Sequence, residues 1–339
     1  MALTINTNIS SLIAQRNLNS ATNALNTSIE RMTTGYKINS SSDNAAGYSI
    51  SNMWETQLGS LDVAADNAAT GADMLTTAEE TYGLLTSHLQ RVRDLTEQAA
   101  NGTYGSQSLR AIQSEISARL YEVNRIAANS EFNGIKLMAF TEDGDGSGIP
   151  SDGVNLQVGL YADENSRIVL KAELFSNANL CGLFGEMPDN DLSAKSLSEL
   201  VSTAGGSIDD LADADNIEAF AAACCGLKYT AGTDPGSGTF VLNSDKDNGA
   251  KEMLAYLDDA INNVSNRVTK IGAVQNRVSS AITALDVQSQ NLTSSLSTLR
   301  DTDIAQESSN YIQAQILQQA SATLLSTANQ LPSVALNLI

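Results

Sequence analysis

The 339-residue chain holds one histidine, one tryptophan, four prolines and three cysteines, and aromatic residues make up only 5 % of it. One histidine excludes every two-histidine zinc motif of the H-E-x-x-H kind. The cysteines, Cys181, Cys224 and Cys225, include no C-x-x-C pair, and an odd number closes no disulfide framework. Two readings stay open for them. One is a single bridge from Cys181 to the vicinal pair, subject to strict geometry. The other is three small, partly buried thiols, the ordinary state of free cysteine. Basic residues are scarce as well: 19 Lys and Arg stand against 39 Asp and Glu, a net charge of −20. Such a chain repels phosphate, which argues against a nucleic-acid partner. No stretch approaches the ~18 continuous apolar residues of a membrane span, so no membrane insertion is expected. The opening MALTINTNISSLIAQRN has no basic leader and no apolar block, so no signal peptide is expected and export would take another route.

What proline there is lies mostly in the middle. Pro150, Pro188 and Pro235 fall between about residues 141 and 249, together with all three cysteines, whereas 1–149 and 251–330 are free of proline. That is what long uninterrupted helices require. Apolar residues recur there at a 3-4 spacing. One seam runs from Leu254 to Leu299, broken only by Gln275 and Ser289; another runs from Trp54 to Val92, broken at Glu79. Heptad seams of this length are coiled-coil geometry, and a helix of about 50 residues is a rod about 75 Å long. Shorter seams are Leu18, Thr22, Leu25, Ile29, Met32 and Tyr36, then Leu109 to Ala127, and finally Leu317, Ser321, Leu324, Ala328 and Leu331 continuing through Pro332. Thr34–Asn39 followed by Ser40–Asp43 reads as a break plus an N-cap, Asn101–Gly105 as a turn, and Arg300–Asp303 as the cap of a last helix running to about Gln330.

The middle reads as strand. Residues 155–160 and 167–170 flank a polar turn as a β-hairpin, 238–242 is a further short strand, and 193–226 has room for one or two short helices. The fold class is therefore mainly α: a long antiparallel helical bundle or coiled coil built from both termini, with a β-hairpin and a small α+β outer insert. The two ends carry seams but little else to bury, and helices of that kind take their stability from partners.

Several long stretches, in order at both ends, resemble bacterial flagellin: MALTINTNISSLIAQRNL, IERMTTGYKINSSSDNAAGYSIS at 29–51, LQRVRDLTEQAANGT at 89–103, EFNGIKLM at 131–138, IGAVQNRVSSAI at 271–282 and SNYIQAQILQQASATLLSTANQ at 309–330. The resemblance covers about 1–175 and 245–339. It implies an inner coiled-coil domain from 1–40 and 302–339, a helical rod with the hairpin from 44–175 and 245–300, and a variable surface-exposed insert at 176–244. It implies a structural subunit that polymerises with itself into the extracellular flagellar filament for motility. Self-assembly would rest on Leu18, Leu25, Ile29, Met32, Leu317, Leu324 and Leu331. It implies passage unfolded through the filament channel, an export chaperone on the C-terminal helix, and filament cap and hook-junction proteins as neighbours. It also implies recognition of the monomer by Toll-like receptor 5, with Arg91 at the centre of the patch and Gln90, Leu95 and Glu115 beside it. No cofactor and no catalysis are implied. The three cysteines depart from the family's near-absence of cysteine.

Other readings weigh less. Asp143–Gly148 imitates the start of a calcium loop, but its twelfth position is Val154 where a bidentate glutamate belongs; a flexible acidic turn is the default. His88 has no second metal ligand beside it and reads as a packing histidine. The acidic run 209–215 reads as a solvated face, and on pattern alone Arg91 and Asp94 are ordinary solvated helix residues. A hook–filament junction protein shares the same terminal logic. An adhesin or effector would carry a leader or anchor, and a protease insert would need H-E-x-x-H.

Overall fold

The computed structural model describes residues 8–138, 149–150, 152–175, 178, 180–184, 214–225, 227–230, 239–242 and 249–336. They form two compact units, Met1–Asp62 with Asp286–Ile339, and Val63–Leu285.

In the first unit, helix α1 (Ile9–Thr34) starts at Asn8, whose side chain accepts from the Ser11 N–H, and ends at Gly35, whose N–H bonds back to the Arg31 carbonyl. The following loop is held by Asp43. Its carboxylate accepts from the Ser40 and Asn39 backbone N–H groups, which together hold its pKa below the usual carboxylate range. The cap of helix α2 (Ala45–Ala99) is therefore one residue beyond the expected Ser40–Asp43: the Asn44 side chain accepts from the Gly47 N–H at 3.0 Å.

The second unit is built on α2, helix α3 (Ser106–Asn129) and helix α6 (Gly249–Arg300). The counted seams face inward: Leu75, Leu85, Leu89, Val92, Ile116, Leu120, Leu257, Val264, Ile271 and Val278 share one buried cluster. One break of each seam meets the other. Gln275 donates to Glu79 at 2.8 Å, and Arg93 pairs with Asp258 at 2.5 Å, so α2 and α6 run antiparallel in a register that a polar pair at seam positions helps to specify.

After α3, the tight Asn133-Gly134 turn joins strands β1 (Glu131–Phe132) and β2 (Ile135–Lys136). Both turn residues have positive φ, 51° and 81°, the type I′ geometry that Asn-Gly favours. The larger hairpin pairs β3 (Val154–Gln157) with β4 (Arg167–Leu170), Val154 opposite Leu170, close to the expected strands. It opens at Gly153, with φ 82°, where a Cβ would stand 2.1 Å from the Leu170 carbonyl oxygen. Backbone cannot yield there as a side chain can. Gly153→Ala is expected to lower stability by about 2 kcal/mol, read as a lowered melting temperature of the hairpin-bearing unit.

The described part of the insert is not a separate body. Helix α4 (Leu180–Phe184) and helix α5 (Ala214–Cys224) add Leu180, Phe184, Phe220 and Cys224 to the same buried cluster as α2 and α3. The Phe184 and Phe220 rings lie 4.8 Å apart, and Glu218 accepts from Gln113 and Ser117 of α3. Strands β5 (Leu227–Thr230) and β6 (Thr239–Leu242) pair antiparallel; β6 matches the expected strand, while β5 abuts a stretch read as helical. Cys224 and Cys225 are free and buried, so no bridge joins either to Cys181. Burial pushes the Cys224 thiol up to about 12 and raises that of Cys225 as well, which leaves both unreactive. The acidic turn 143–148 and residues 209–213 lie outside the described residues.

Candidate assembly surface

Helix α7 (Ile304–Leu336) returns along α1. Asp303 caps it as expected, accepting from the Ala305 and Gln306 N–H groups. It runs six residues past the expected end and through Pro332. A proline so near the C-terminus removes only one ladder bond, in the last turn.

Three hydrogen bonds set the antiparallel register of α1 and α7. Asn8 donates to the Ala328 carbonyl at 2.7 Å, Ser11 to the Asn329 side chain at 2.7 Å, and Gln318 to Thr22 at 3.2 Å. The seam between the helices is made of small residues. Ala14, Ala21 and Ser28 recur every seventh position of α1 and are buried; Ala314, Ser321 and Ala328 do the same in α7. The register brings Leu18 to the level of Ser321 and Leu25 to the level of Ala314, so each leucine on one helix has a small residue opposite. Both leucines are half-buried.

The large apolar residues point elsewhere. Ile9, Leu12, Ile316 and Leu324 are each at least 60 % exposed, and Ile13, Ile29, Met32, Ile312 and Leu317 are exposed too. The expected seam Leu317, Ser321, Leu324, Ala328 is thus only half inward. Ser321 and Ala328 pack against α1. Leu317 and Leu324 sit on the flank, since a leucine in the seam would push the helices apart. They line an open groove of about 730 Å³ whose walls also hold Ala24, Arg31, Glu307 and Ala320. Of the expected assembly residues, Leu18 and Leu25 lie between the helices and Ile29, Met32, Leu317 and Leu324 lie outside them. Leu331 is helical, and its side chain lies outside the described residues. Exposed large apolar side chains grouped on one helix pair mark an interaction surface.

The second expected patch lies on α2 and α3. Arg91 reaches Glu115 through Nε and Nη2, each at 2.9 Å from Oε1, and Arg119 lies 3.9 Å from the same oxygen. Gln90 is exposed beside them. Leu95 is different: it is only 2 % exposed. The 3-4 period that buries Leu89 and Val92 carries Leu95 into the core, so it supports the patch from beneath and offers it no surface.

His88 is half-buried in α2, and its Nδ1 has no hydrogen-bond partner among the described residues. Among the described residues no group of three or more His, Cys, Asp or Glu is placed to hold a metal, and no helix is long and apolar enough to cross a membrane.

The family model for the bacterial flagellin N-terminal helical region matches residues 5–143, and that for the C-terminal helical region matches 254–339. Among curated relatives, polar flagellin F of Vibrio parahaemolyticus is 35 % identical, and flagellin B of Vibrio cholerae is also 35 % identical; each match covers 100 % of both chains. A crystal structure of Bacillus cereus flagellin is a distant likeness, with TM-score 0.38 and 18 % identity over 65 % of this chain and 88 % of that one.

Proposed function

The chain belongs to the bacterial flagellin family, and on that premise we propose that α1 and α7 are the device by which copies of this structural subunit join into the flagellar filament. The observation that carries this is the reversal in α1 and α7: small residues inside the pair, large apolar residues outside it. Each large apolar side chain buried by a neighbouring copy contributes about 1.5–3 kcal/mol. A head-to-tail contact that does not close on itself gives an open helical polymer. The inner domain is then 1–40 with 302–339, the rod is 44–175 with 245–300, and 176–244 faces outward. The acidic net charge keeps such a polymer soluble. The subunit would reach the outside through the flagellar export route, with a chaperone covering α7 and the filament cap and hook-junction proteins as end partners. No catalysis is assigned to it. Hook–filament junction proteins share the terminal logic, but the curated full-length relatives reported above are flagellins. Electron microscopy under polymerising conditions tests the reading. Full-length protein should form long hollow filaments, and a version lacking 1–40 and 302–339 should stay monomeric. Short caps or closed oligomers from full-length protein would favour the junction class.

The exposed Arg91–Glu115 pair, with Gln90 beside it, is the surface on which Toll-like receptor 5 would recognise the monomer. An exposed arginine held by one partner is pre-organised, as binding hot spots tend to be. Arg91→Ala is expected to weaken binding to the receptor ectodomain about 30-fold, the scale of a 2 kcal/mol hot spot. Unchanged affinity in a surface-plasmon measurement, with unchanged signalling in reporter cells, removes this assignment.

A further inference from the structure

The second unit carries two rows of exposed charge. On α2, Asp66, Asp73 and Glu80 recur every seventh residue, and all three are exposed. On α6, Lys270 and Arg277 are likewise seven residues apart and exposed. Seven residues are close to two turns, so each row stands on one helix face with its charges about 10.5 Å apart. Arg91, Arg93 and Arg125 of the same unit each have a carboxylate partner. By contrast, none of the five charges in the two rows is in an ion pair among the described residues. The rows also lie on opposite sides of the unit. Gly71 of α2 faces the β3–β4 hairpin so closely that a Cβ there would stand 2.2 Å from Leu156 Cδ1, and Asn67, a turn earlier, donates to the Gln157 carbonyl at 3.4 Å. At about 100° per residue, Asp66, Asp73 and Glu80 stand about half a turn round from Gly71. Arg277 is on the hairpin side instead, where it lines an open groove with Val158, Asn165 and Ile168. Rows so placed cannot pair within one subunit.

We propose that these rows form a contact between neighbouring copies of this chain, with the acidic row of α2 in one subunit set against Lys270 and Arg277 of α6 in the next. The occupant is a second copy because the two faces are opposite in sign, equal in spacing and on opposite sides of one body. Such a contact is heterologous, so it repeats from copy to copy without closing on itself. It also fixes register. A slip by less than the spacing of the rows sets each charge against a gap, and pairing of like faces sets acid against acid in a chain already at −20. Complementary charge of this kind governs specificity and alignment more than affinity. The inference rests on the reading of the chain as a filament subunit, and it takes nothing from the arrangement of α1 and α7 before assembly.

The test is charge reversal with rescue, read as the critical concentration for seeded polymerisation of full-length protein, with far-UV circular dichroism of each monomer as the folding control. Asp73→Lys with Glu80→Lys sets like charges against each other and is expected to raise the critical concentration about tenfold. Lys270→Glu with Arg277→Glu is expected to do the same. All four changes in one chain exchange the two rows and are expected to bring the critical concentration back close to the wild-type value. Asp73→Asn with Glu80→Gln removes charge without reversing it and is expected to raise the critical concentration about threefold. That neutral pair carries the test if a reversed chain does not fold: a critical concentration equal to wild type then overturns the proposal. Reversed pairs that polymerise at the wild-type concentration overturn it too, and so does a four-site chain that polymerises no better than the two-site chains. Wild-type protein that never polymerises removes the filament reading itself, and this contact with it.

Discussion

Aspartate at both Ile316 and Leu324 is expected to leave a monomer that folds and melts close to wild type but no longer polymerises. In the monomer the two side chains already face water, so the exchange costs little beyond helix propensity, at most about 0.7 kcal/mol per site. In a filament that covers them, the cost is of another order. Two lost apolar burials remove about 3–6 kcal/mol per subunit, and each buried, unpaired carboxylate adds several more. Even the lower figure raises the critical concentration more than a hundredfold. Sedimentation of seeded polymer reads it directly. The comparison that isolates position is Asp at Gln315, an exposed polar site about a quarter-turn round the helix from Ile316 and on the opposite side from Leu324, which should cost far less. A doubly substituted protein that polymerised at the wild-type concentration would mean that this face is not covered by a neighbour.

Leucine at both Ala21 and Ala314 is expected to have the opposite signature: damage within the monomer itself. Both alanines are buried in the seam, and the register puts Ala314 level with Leu25. A second leucine there needs space that close helix approach has removed. Overpacking costs about 1–3 kcal/mol per site, and the two sites line one groove, so their effects are coupled. The α1–α7 pair has no broad core to absorb such a loss, whereas the second unit has a large one. The pair should therefore come apart while the second unit stays folded. Hydrogen exchange followed peptide by peptide should show fast exchange over Ile9–Thr34 and Ile304–Leu336 with unchanged protection around Leu89, Ile116 and Val264. Unchanged protection in both regions would mean that the seam tolerates bulk and that small residues there do not set the helix spacing.

Much of the fold is legible in the sequence because period is a local property. The seam from Leu254 to Leu299 faces inward along its length, its break at Gln275 meets the break at Glu79, and Asp303 caps the helix it precedes. The Asn133-Gly134 hairpin carried its signal openly but is only two residues deep on each side, too short for alternation to show. The α1–α7 seam was harder to read. Hydropathy rewards leucine, and there the inward positions belong to alanine and serine because close approach of two backbones selects small side chains. The recurrence of Ala14, Ala21 and Ser28 at every seventh position, matched by Ala314, Ser321 and Ala328, is the available signal. Pattern alone reads Leu95 as a core residue beside Val92, and its burial agrees; only the family resemblance places it among the receptor contacts. The packing of Phe184 and Phe220 onto α2 and α3, and the stacking of Arg300 on Tyr36, join residues far apart in the chain. No local pattern announces either.

The most direct test of the central claim is the accessibility of position 316 before and after polymerisation. Ile316→Cys in full-length protein is treated with a maleimide, and modification is read by peptide mass spectrometry, which separates this thiol from the buried Cys224 and Cys225. The expected result is rapid labelling in the monomer and strong protection in the filament, with polymerisation blocked when labelling comes first. Equal labelling in monomer and filament would place the exposed face of α7 outside the subunit contacts and contradict the claim.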